Sequence, residues 1–290
     1  MNDPLNPSTL EARIRHVYAQ LSSAERKLAD MVLTRQRELL GYSATELAGL
    51  AGTSKSSAAR FFRSLGYAGY DEFRQALRVA QLQQSPLARM ERPRRKRSLA
   101  QQFQTHLQAD AALLHAWSES IPEAQLDAAI AMLIKARKVW VVGYRHSHLT
   151  AFYAQSLLTQ VRGEVGSLND AAGREADLLA SASEKDVVLA VDFRRRSTRL
   201  PRVLAAAQAV GAQTLVLTDA PVSALAMQAQ VVLRCGASSP QGLFDSYACA
   251  VSLVNFLASA LAQQQRVSTQ ERLERIERLH VALDDLEPQL

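Results

Sequence analysis

The sequence contains few cysteines and no long hydrophobic run, and these two absences exclude several classes of protein. Only Cys235 and Cys249 occur among its 290 residues, and their spacing matches no zinc motif. Neither a disulfide-stabilised secreted domain nor a structural zinc site is therefore expected. No apolar run approaches the roughly 20 residues of a membrane-spanning helix, and the first ten residues lack a signal-peptide pattern. We expect a cytoplasmic protein that uses no metal or cofactor and has no membrane partner.

Basic residues outnumber acidic ones, and the excess lies in the first third of the chain. The net charge is +6 and the sequence pI is about 9.5. The net charge is +3 for residues 1–84, +5 for residues 85–98 and −2 for residues 99–290. This distribution favours a polyanionic partner for the N-terminal part. A chain of 290 residues with 48% hydrophobic content has room for about two domains.

Residues 43–66 predict two short helices joined by a tight turn. Ser43 begins the first helix as part of a capping box, and Gly52 suits the left-handed conformation that ends it. Ser54 caps the second helix, which ends at Gly66. One face of the second helix is apolar, with Ala58, Phe61, Phe62 and Leu65. This is the layout of a helix-turn-helix, whose second helix lies in the major groove of DNA.

The caps and the opposite face of the second helix carry hydroxyl and basic side chains. Such groups suit phosphates and base edges, and arginine can contact guanine in a bidentate manner. The predicted DNA-binding residues are Ser43, Thr45, Ser54, Lys55, Ser56, Ser57, Arg60 and Arg63. An ordinary helical hairpin with a solvated basic face remains an alternative for this stretch.

Two longer segments resemble the N-terminal domain of RpiR-type bacterial transcription regulators. They are LSSAERKLADMVL (residues 21–33) and ATELAGLAGTSKSSAARFFRSLGYAGYDEFRQAL (residues 44–77), of which RFFRSLGYAGYDEF is the most specific part. The resemblance implies an all-helical domain, assigned to residues 1–84, that binds operator DNA.

Residues 85–98 predict a linker. Two prolines interrupt any long helix, and the basic run at residues 92–97 has no apolar partner. The run is either a solvated hinge or an additional phosphate contact, and the two roles are compatible.

From residue 138 short apolar strands alternate with helices. The predicted strands are residues 139–143, 165–168, 187–191, 214–219 and 231–235, and long helices are predicted at residues 244–262 and 269–286. This alternation is typical of an α/β domain with a doubly wound parallel sheet, here covering residues 99–290.

Ligands of such sheets bind beyond the carboxyl ends of the strands. The segments GYRHSH, DFRRRST and FDSYACA lie there, and the arginines and the helix starts favour a small anion. The predicted effector-binding residues are Gly143, Arg145, His146, Ser147, Arg194, Arg195, Arg196, Ser197, Asp245, Ser246 and Tyr247. Alternatively, Ser147 and Asp245 only cap helices, Tyr247 only packs, and the arginine run is solvated.

Residues 139–262 resemble the sugar isomerase (SIS) domain that follows the helix-turn-helix in the RpiR family. The match rests on Gly143 and Ser147 after the first strand and on the run from GAQTLVLTD to VVL (residues 211–233). The resemblance implies a homodimer or homotetramer in which Ser147 contacts the phosphate of a phosphosugar. Arg145 replaces a usual small residue and DFRRRS replaces a serine- and threonine-rich loop, so an acidic metabolite held mainly by charge is the alternative ligand.

These observations predict a regulator that binds operator DNA and senses a small anionic metabolite, a phosphosugar or a carboxylate, and that is not an enzyme. An isomerase needs a positioned glutamate or histidine, yet no glutamate ends a strand, and His146 and His148 are loop residues. A sugar-phosphate isomerase or a carbohydrate-derivative-binding protein with an accessory helical domain is the alternative function. An architectural DNA-binding protein with an empty α/β domain is a third hypothesis.

Overall fold

The computed structural model describes residues 10–35, 39, 42–84, 86–90, 97–118, 121–170, 172–220, 224–236 and 242–285. The chain forms two compact units. The helical unit comprises Met1–Ser98 together with Ala220–Gln228, and the α/β unit comprises Leu99–Asp219 together with Ala229–Leu290.

Among its described residues, the helical unit begins with six helices in chain order. They are α1 (Leu10–Val17, extended by a 3-10 turn at Tyr18–Gln20), α2 (Ser23–Arg35), α3 (Ala44–Leu50), α4 (Lys55–Ser64), α5 (Tyr70–Gln84) and α6 (Pro86–Met90). Helix α6 lies inside the predicted linker, where Pro86 takes a first-turn position in which its missing N–H costs nothing. The basic residues 92–96 lie outside the described residues.

An aromatic cluster forms the core of the helical unit. Phe61 and Phe62 of α4 and Phe73 of α5 are fully buried, with the rings of Phe62 and Phe73 centred 4.8 Å apart. Tyr67 and Tyr70 surround the same ring of Phe73, at 5.8 and 6.5 Å. Tilted and edge-on aromatic pairs of this kind each add about 0.5–1.5 kcal/mol beyond the area that they bury. The cluster therefore fixes which face of α4 points outward.

The α/β unit contains a five-stranded parallel sheet with the strand order β2-β1-β3-β4-β5. In chain order its elements are α7 (Leu99–Ser118), α8 (Glu123–Lys135), β1 (Val139–Gly143), α9 (Ser147–Val161), β2 (Val165–Ser167), α10 (Glu175–Leu179), β3 (Val187–Asp192), α11 (Leu200–Ala209), β4 (Gln213–Thr218), β5 (Val231–Arg234), α13 (Ala248–Gln264) and α14 (Arg266–Leu283). Helix α12 (Ala224–Gln228) lies between β4 and β5 in the sequence but groups with the helical unit.

The central strands are buried along their full length, which explains their unbroken apolar sequences. The predicted fold class, an all-helical domain followed by a doubly wound parallel sheet, is confirmed. The strand order reverses between β1 and β3, which lie side by side. A crevice therefore opens at the carboxyl ends of these strands, where ligands of such sheets bind.

Two helix boundaries differ from their predictions. The helix predicted from Phe244 begins at Ala248, since Tyr247 adopts a non-helical conformation, and the helix predicted from Thr269 begins earlier, at Arg266. Among the described helices none has the length and apolar character needed to cross a membrane.

Candidate functional site

Two serines begin the helices of the helix-turn-helix. The N–H of Ser43 donates to Glu46 Oε2 at 2.7 Å, and the N–H of Glu46 donates to Ser43 Oγ at 3.3 Å. Ser54 Oγ accepts from the N–H of Ser57 at 3.2 Å. The predicted capping box and cap are both confirmed. The hydroxyls of Ser43 and Ser54 are thus used as helix caps within the fold.

The outward face of α4 carries most of the predicted DNA contacts. Lys55, Ser56, Arg60 and Arg63 are exposed, and so is Thr45 in the first turn of α3. Ser57 differs from its neighbours, because it is buried and its hydroxyl lies 3.0 Å from Ser54 Oγ. Arg60 Nη2 donates to Ser57 Oγ at 3.4 Å. The exposed set combines two guanidinium groups, an ammonium group and hydroxyls, which suits phosphates and base edges.

The turn after β1 allows no side chain at Gly143. A Cβ atom there would lie 2.6 Å from the carbonyl oxygen of Ser147. Asn169 fixes the same residue, because its Nδ2 donates to Gly143 O at 2.6 Å and its Oδ1 accepts from Gly143 N–H at 2.9 Å. The backbone at the end of β1 is therefore held from both sides.

Arg145 and His146 are exposed in this turn. Arg145 has φ of 59°, in the left-handed region that costs a side-chain-bearing residue about 1–2 kcal/mol. Its guanidinium group makes no ion pair among the described residues. A strained, exposed and unneutralised arginine at the carboxyl end of a strand is typical of a functional position.

Ser147 is buried at the start of α9, and its Oγ accepts from the N–H of Phe193 at 3.0 Å. This bond joins the end of β1 to the residue that follows β3. Thr218 Oγ1 donates to Asp192 O at 2.8 Å and joins β3 to β4 in the same way. The hydroxyl of Ser147 therefore has a structural role at the site, whether or not it also meets a ligand.

The arginine loop after β3 contains internal ion pairs. Arg196 Nε lies 3.2 Å from Asp192 Oδ2, and Arg196 Nη2 also contacts Asp219 Oδ1. Arg194 Nε lies 3.8 Å from Asp219 Oδ2. Both aspartate side chains are nearly inaccessible, with 5% and 6% exposure. Two of the three arginines of this loop, among the four that were predicted to bind an anion, therefore already contact carboxylates of the chain.

Arg195 differs from its two neighbours, because it forms no ion pair in the described part of the chain. Ser197 Oγ accepts from the N–H of Arg199 at 3.1 Å and so shapes the approach to α11. Arg145 and Arg195 are the predicted arginines whose charge the described carboxylates leave uncompensated.

Burial changes the acidity of Asp192. Removal from water raises its pKa to about 6, and the repulsion of Asp219 acts in the same direction, whereas Arg196 opposes both. Desolvation therefore prevails over ion pairing at this carboxyl group.

The predicted residues before α13 line the same loop. Tyr247 OH donates to Arg194 O at 3.2 Å, and its ring lies 5.5 Å from that of Phe193. Burial raises the pKa of Tyr247 to about 12. Ser246 Oγ accepts from the N–H of Ala248 at 3.2 Å, and Asp245 is half-buried beside it. The structure thus brings all three predicted segments to the carboxyl edge of the sheet.

Sequence reasoning missed three polar residues of this edge. Asn169 brackets Gly143, and Asp219 contacts Arg194 and Arg196. Glu175 is buried, where it accepts from Tyr144 OH at 3.0 Å and from Arg199 Nη2 at 2.6 Å. Asp219 follows β4 directly, so its position after a strand was a usable signal. Asn169 lies in an irregular segment after β2 and Glu175 begins the short helix α10, and neither position carried such a signal.

Two family models match the chain. The model of the helix-turn-helix domain of the rpiR family matches residues 8–85, and the model of the SIS domain matches residues 132–260. The two matches cover the exposed face of α4 and the carboxyl edge of the sheet, respectively.

Known proteins resemble the chain over most of its length. An uncharacterized HTH-type transcriptional regulator of Escherichia coli, YfhH, is 27% identical over 273 residues, which are 92% of this chain and 96% of that protein. A second such regulator, YbbH of Bacillus subtilis, is 26% identical over 74% of this chain and 76% of its own length. The solved structure of Vibrio vulnificus NanR complexed with ManNAc-6P has a TM-score of 0.58 at 20% identity, covering 95% of this chain and 99% of that one. This structural likeness supports the fold.

The acidity of Asp192 predicts a pH-dependent stability. Folding raises the pKa of Asp192 from 3.8 to about 6. The contribution of this carboxyl group to the free energy of unfolding is therefore fully present below about pH 4 and is lost as the pH rises through about 6. The neutral variant Asp192→Asn avoids this loss. Its free energy of unfolding relative to wild type should therefore rise by roughly 2–3 kcal/mol between pH 4 and pH 7.5, measured by urea denaturation.

Asp170→Asn is the matched control, because hydrogen bonding to the N–H of Ala172 and the Arg174 side chain lower the pKa of Asp170. Because a lowered pKa affects stability only below about pH 4, the free energy of unfolding of Asp170→Asn relative to wild type should stay nearly constant between pH 4 and pH 7.5. A difference between Asp192→Asn and wild type that stays constant across this range contradicts the assignment.

Proposed function

Because the chain belongs to the RpiR-type family of transcription regulators, with a helix-turn-helix domain and a SIS domain, we propose which surfaces carry its two activities. The exposed face of α4 contacts operator DNA. The carboxyl edge of β1, β3 and β4 binds a small anionic metabolite that changes operator affinity. The observation that carries the second assignment is the pair Arg145 and Arg195, exposed or half-exposed without a carboxylate partner among the described residues.

Within α4 we assign direct contacts with DNA to Lys55, Ser56, Arg60 and Arg63. We assign a contact with the phosphate backbone of the DNA to Thr45 of α3. The buried Ser57 and the capping serines position the helix. This division follows from exposure, since a hydroxyl that is buried at 6% exposure cannot reach a groove without unfolding the first turn. Phosphate contacts by the basic members also make binding salt-dependent.

A phosphosugar is the ligand class that suits the effector site best. The phosphate group would meet Arg145 and Arg195, whose charges it would neutralise, and Asp245 and Ser246 offer acceptors for sugar hydroxyls. ManNAc-6P, present in the NanR complex, is the first candidate for this chain. A carboxylate metabolite remains the alternative, because guanidinium groups bind both anions.

We also propose that the chain acts as a homodimer or a homotetramer. Three large apolar residues lie one turn apart along the first half of α7, and their exposure is 83% for Leu99, 62% for Phe103 and 50% for Leu107. Such a stripe favours burial against a second copy. Two copies related by a two-fold axis would place two α4 helices on a palindromic operator.

Besides His146 and His148, the described residues offer Glu175 as a candidate catalytic base. Its carboxylate accepts hydrogen bonds from two side chains. Tyr144 and Arg199 both hold its carboxylate. Turnover of an aldose or ketose phosphate that is lost in Glu175→Gln would favour the isomerase alternative.

Removal of Arg60 should weaken operator binding. We expect Arg60→Ala to lower the affinity by about 5- to 150-fold, since a bidentate base contact is worth about 1–3 kcal/mol. Fluorescence anisotropy with the protein's own promoter fragment measures this. Arg78→Ala, which removes an exposed arginine of α5, is the matched control and should keep wild-type affinity. Equal affinities for both variants contradict the assignment of α4.

Removal of Arg145 should separate stability from ligand binding. Arg145→Gly relieves a left-handed backbone and should raise the free energy of unfolding by about 1 kcal/mol. It should weaken binding of ManNAc-6P, or of whichever phosphosugar stabilises the wild type, at least tenfold.

Glu164→Gly is the control for that experiment. Glu164 has φ of 52° and precedes β2, at the opposite edge of the sheet. It should bring the gain in stability without the loss of affinity. Unchanged ligand binding in Arg145→Gly excludes Arg145 from the site.

Polar replacements in α7 should dissociate the oligomer. We expect Leu99→Gln with Phe103→Gln to halve the molar mass, or to reduce a tetramer to a smaller species, in light scattering. Gln108→Ala changes the opposite side of the same helix and should leave the mass unchanged. A wild-type protein that is monomeric at micromolar concentration contradicts the proposal.

A further inference from the structure

Glu175 joins the two loops that carry the uncompensated arginines. Its Oε1 accepts from Tyr144 OH at 3.0 Å, and Tyr144 directly precedes Arg145 in the turn after β1. Its Oε2 accepts from Arg199 Nη2 at 2.6 Å. Arg199 is the N-cap residue of α11, where the loop that carries Arg195 ends. The same carboxylate therefore holds one side chain from each loop.

A third contact closes the cluster of Tyr144, Glu175 and Arg199. The guanidinium carbon of Arg199 lies 5.6 Å from the centre of the Tyr144 ring, within the range of a cation–π interaction. Each member thus contacts the other two. The side chain of Glu175 is only 8% exposed, so its carboxylate has little water to replace a lost donor. The closed cluster therefore favours one arrangement of the two loops.

Other hydrogen bonds fix the points where the same loops begin. Asn169 holds Gly143 at the end of β1. Ser147 Oγ accepts from the N–H of Phe193, the first residue after β3. Glu175 acts beyond these points, because it fixes the first turn one residue further on and the arginine loop at its far end. Its two contacts therefore determine the course of each loop after it leaves the sheet.

We propose that Glu175 is a positioning residue of the effector site proposed above, on which this inference rests. Through Tyr144 and Arg199 it holds the backbone of both loops. Arg145 and Arg195 thereby project from backbone that is already ordered, and less ordering remains to be done when an anion binds. Glu175 itself does not contact the anion, since a carboxylate repels it.

One substitution separates this role from an electrostatic one by the sign of its effect. Glu175→Gln removes a negative charge from the neighbourhood of the site, and by Coulomb's law alone this would strengthen the binding of an anion. Loss of the positioning contacts should weaken binding instead. The glutamine amide carries a single acceptor oxygen, so it cannot offer one oxygen to each donor as the carboxylate does.

Titration calorimetry of the full-length protein tests the proposal, with ManNAc-6P and inorganic phosphate as the probes. Wild type should bind at least one of them, and Glu175→Gln should bind it about five- to tenfold more weakly. Glu175→Asp keeps the charge and both acceptor oxygens and should recover most of that loss. Tyr144→Phe removes one of the two contacts and should also weaken binding, which keeps the proposal testable if Glu175→Gln does not fold.

Asp186→Asn is the matched control. Asp186 is a fully buried carboxylate of the same α/β unit, and it pairs with Arg137 at 2.7 Å just before β3, at the opposite edge of the sheet. The variant should be less stable than wild type in urea denaturation and should bind the probes with unchanged affinity.

Two results would overturn the inference and leave the proposed effector site standing. One is binding in Glu175→Gln that is as tight as in wild type or tighter. The other is an equal loss of affinity in Glu175→Gln, Glu175→Asp and Asp186→Asn, which would show a merely structural role. A wild type that binds neither probe overturns both the inference and the proposed site.

Discussion

Ion pairs between two buried aspartates and two arginines at the carboxyl edge of the sheet determine the shape of the candidate effector site. The parallel register brings Asp192 and Asp219 to neighbouring strand ends, and two carboxylates this close cannot both stay ionised without cations. The loop after β3 supplies Arg194 and Arg196. The path of that loop leaves Arg195 half-exposed at the site. It also places the carbonyl oxygen of Arg194 where the hydroxyl of Tyr247 donates a hydrogen bond to it.

This arrangement suggests how a small anion could act on DNA binding. A ligand changes an equilibrium only by as much as its affinity differs between the two states. A loop whose arginines hold aspartates and a loop whose arginines hold a phosphate are two such states, and they differ in the contacts of one short segment. The helical unit needs no such change of contacts to expose its DNA-binding face, because the aromatic core already fixes the outward face of α4.

Local patterns in the sequence were enough for most of the fold. The capping serines, Gly52 and Gly66 placed α3 and α4, and the apolar runs placed the strands, including the short β2. These features are set by neighbours in the chain. The starts of α13 and α14 were missed because an apolar or charged pattern does not reveal where the backbone first turns helical.

The polar contacts of the site were harder to predict, because they join residues that are distant in the chain. The pattern DFRRRST indicates cations available to an anion, and nothing in it reveals that Asp219, 23 residues beyond Arg196, meets the same guanidinium group. The pattern around Ser147 predicts a ligand contact and does not reveal that its hydroxyl accepts from the N–H of Phe193, 46 residues away. A sequence pattern therefore indicates which edge of the sheet binds a ligand. It does not indicate which polar side chains from different strands contact each other at that edge.

Binding of the effector at the carboxyl edge of the sheet should change the affinity of the helix-turn-helix for operator DNA. Operator binding should be titrated by anisotropy at fixed salt with and without a saturating phosphosugar from a panel of hexose and hexosamine 6-phosphates. At least one of them should shift the dissociation constant at least fivefold, and operator DNA should shift the affinity for that sugar by the same factor. Operator isotherms that coincide for every phosphosugar, including one shown by calorimetry to bind, would mean that the two sites are not coupled.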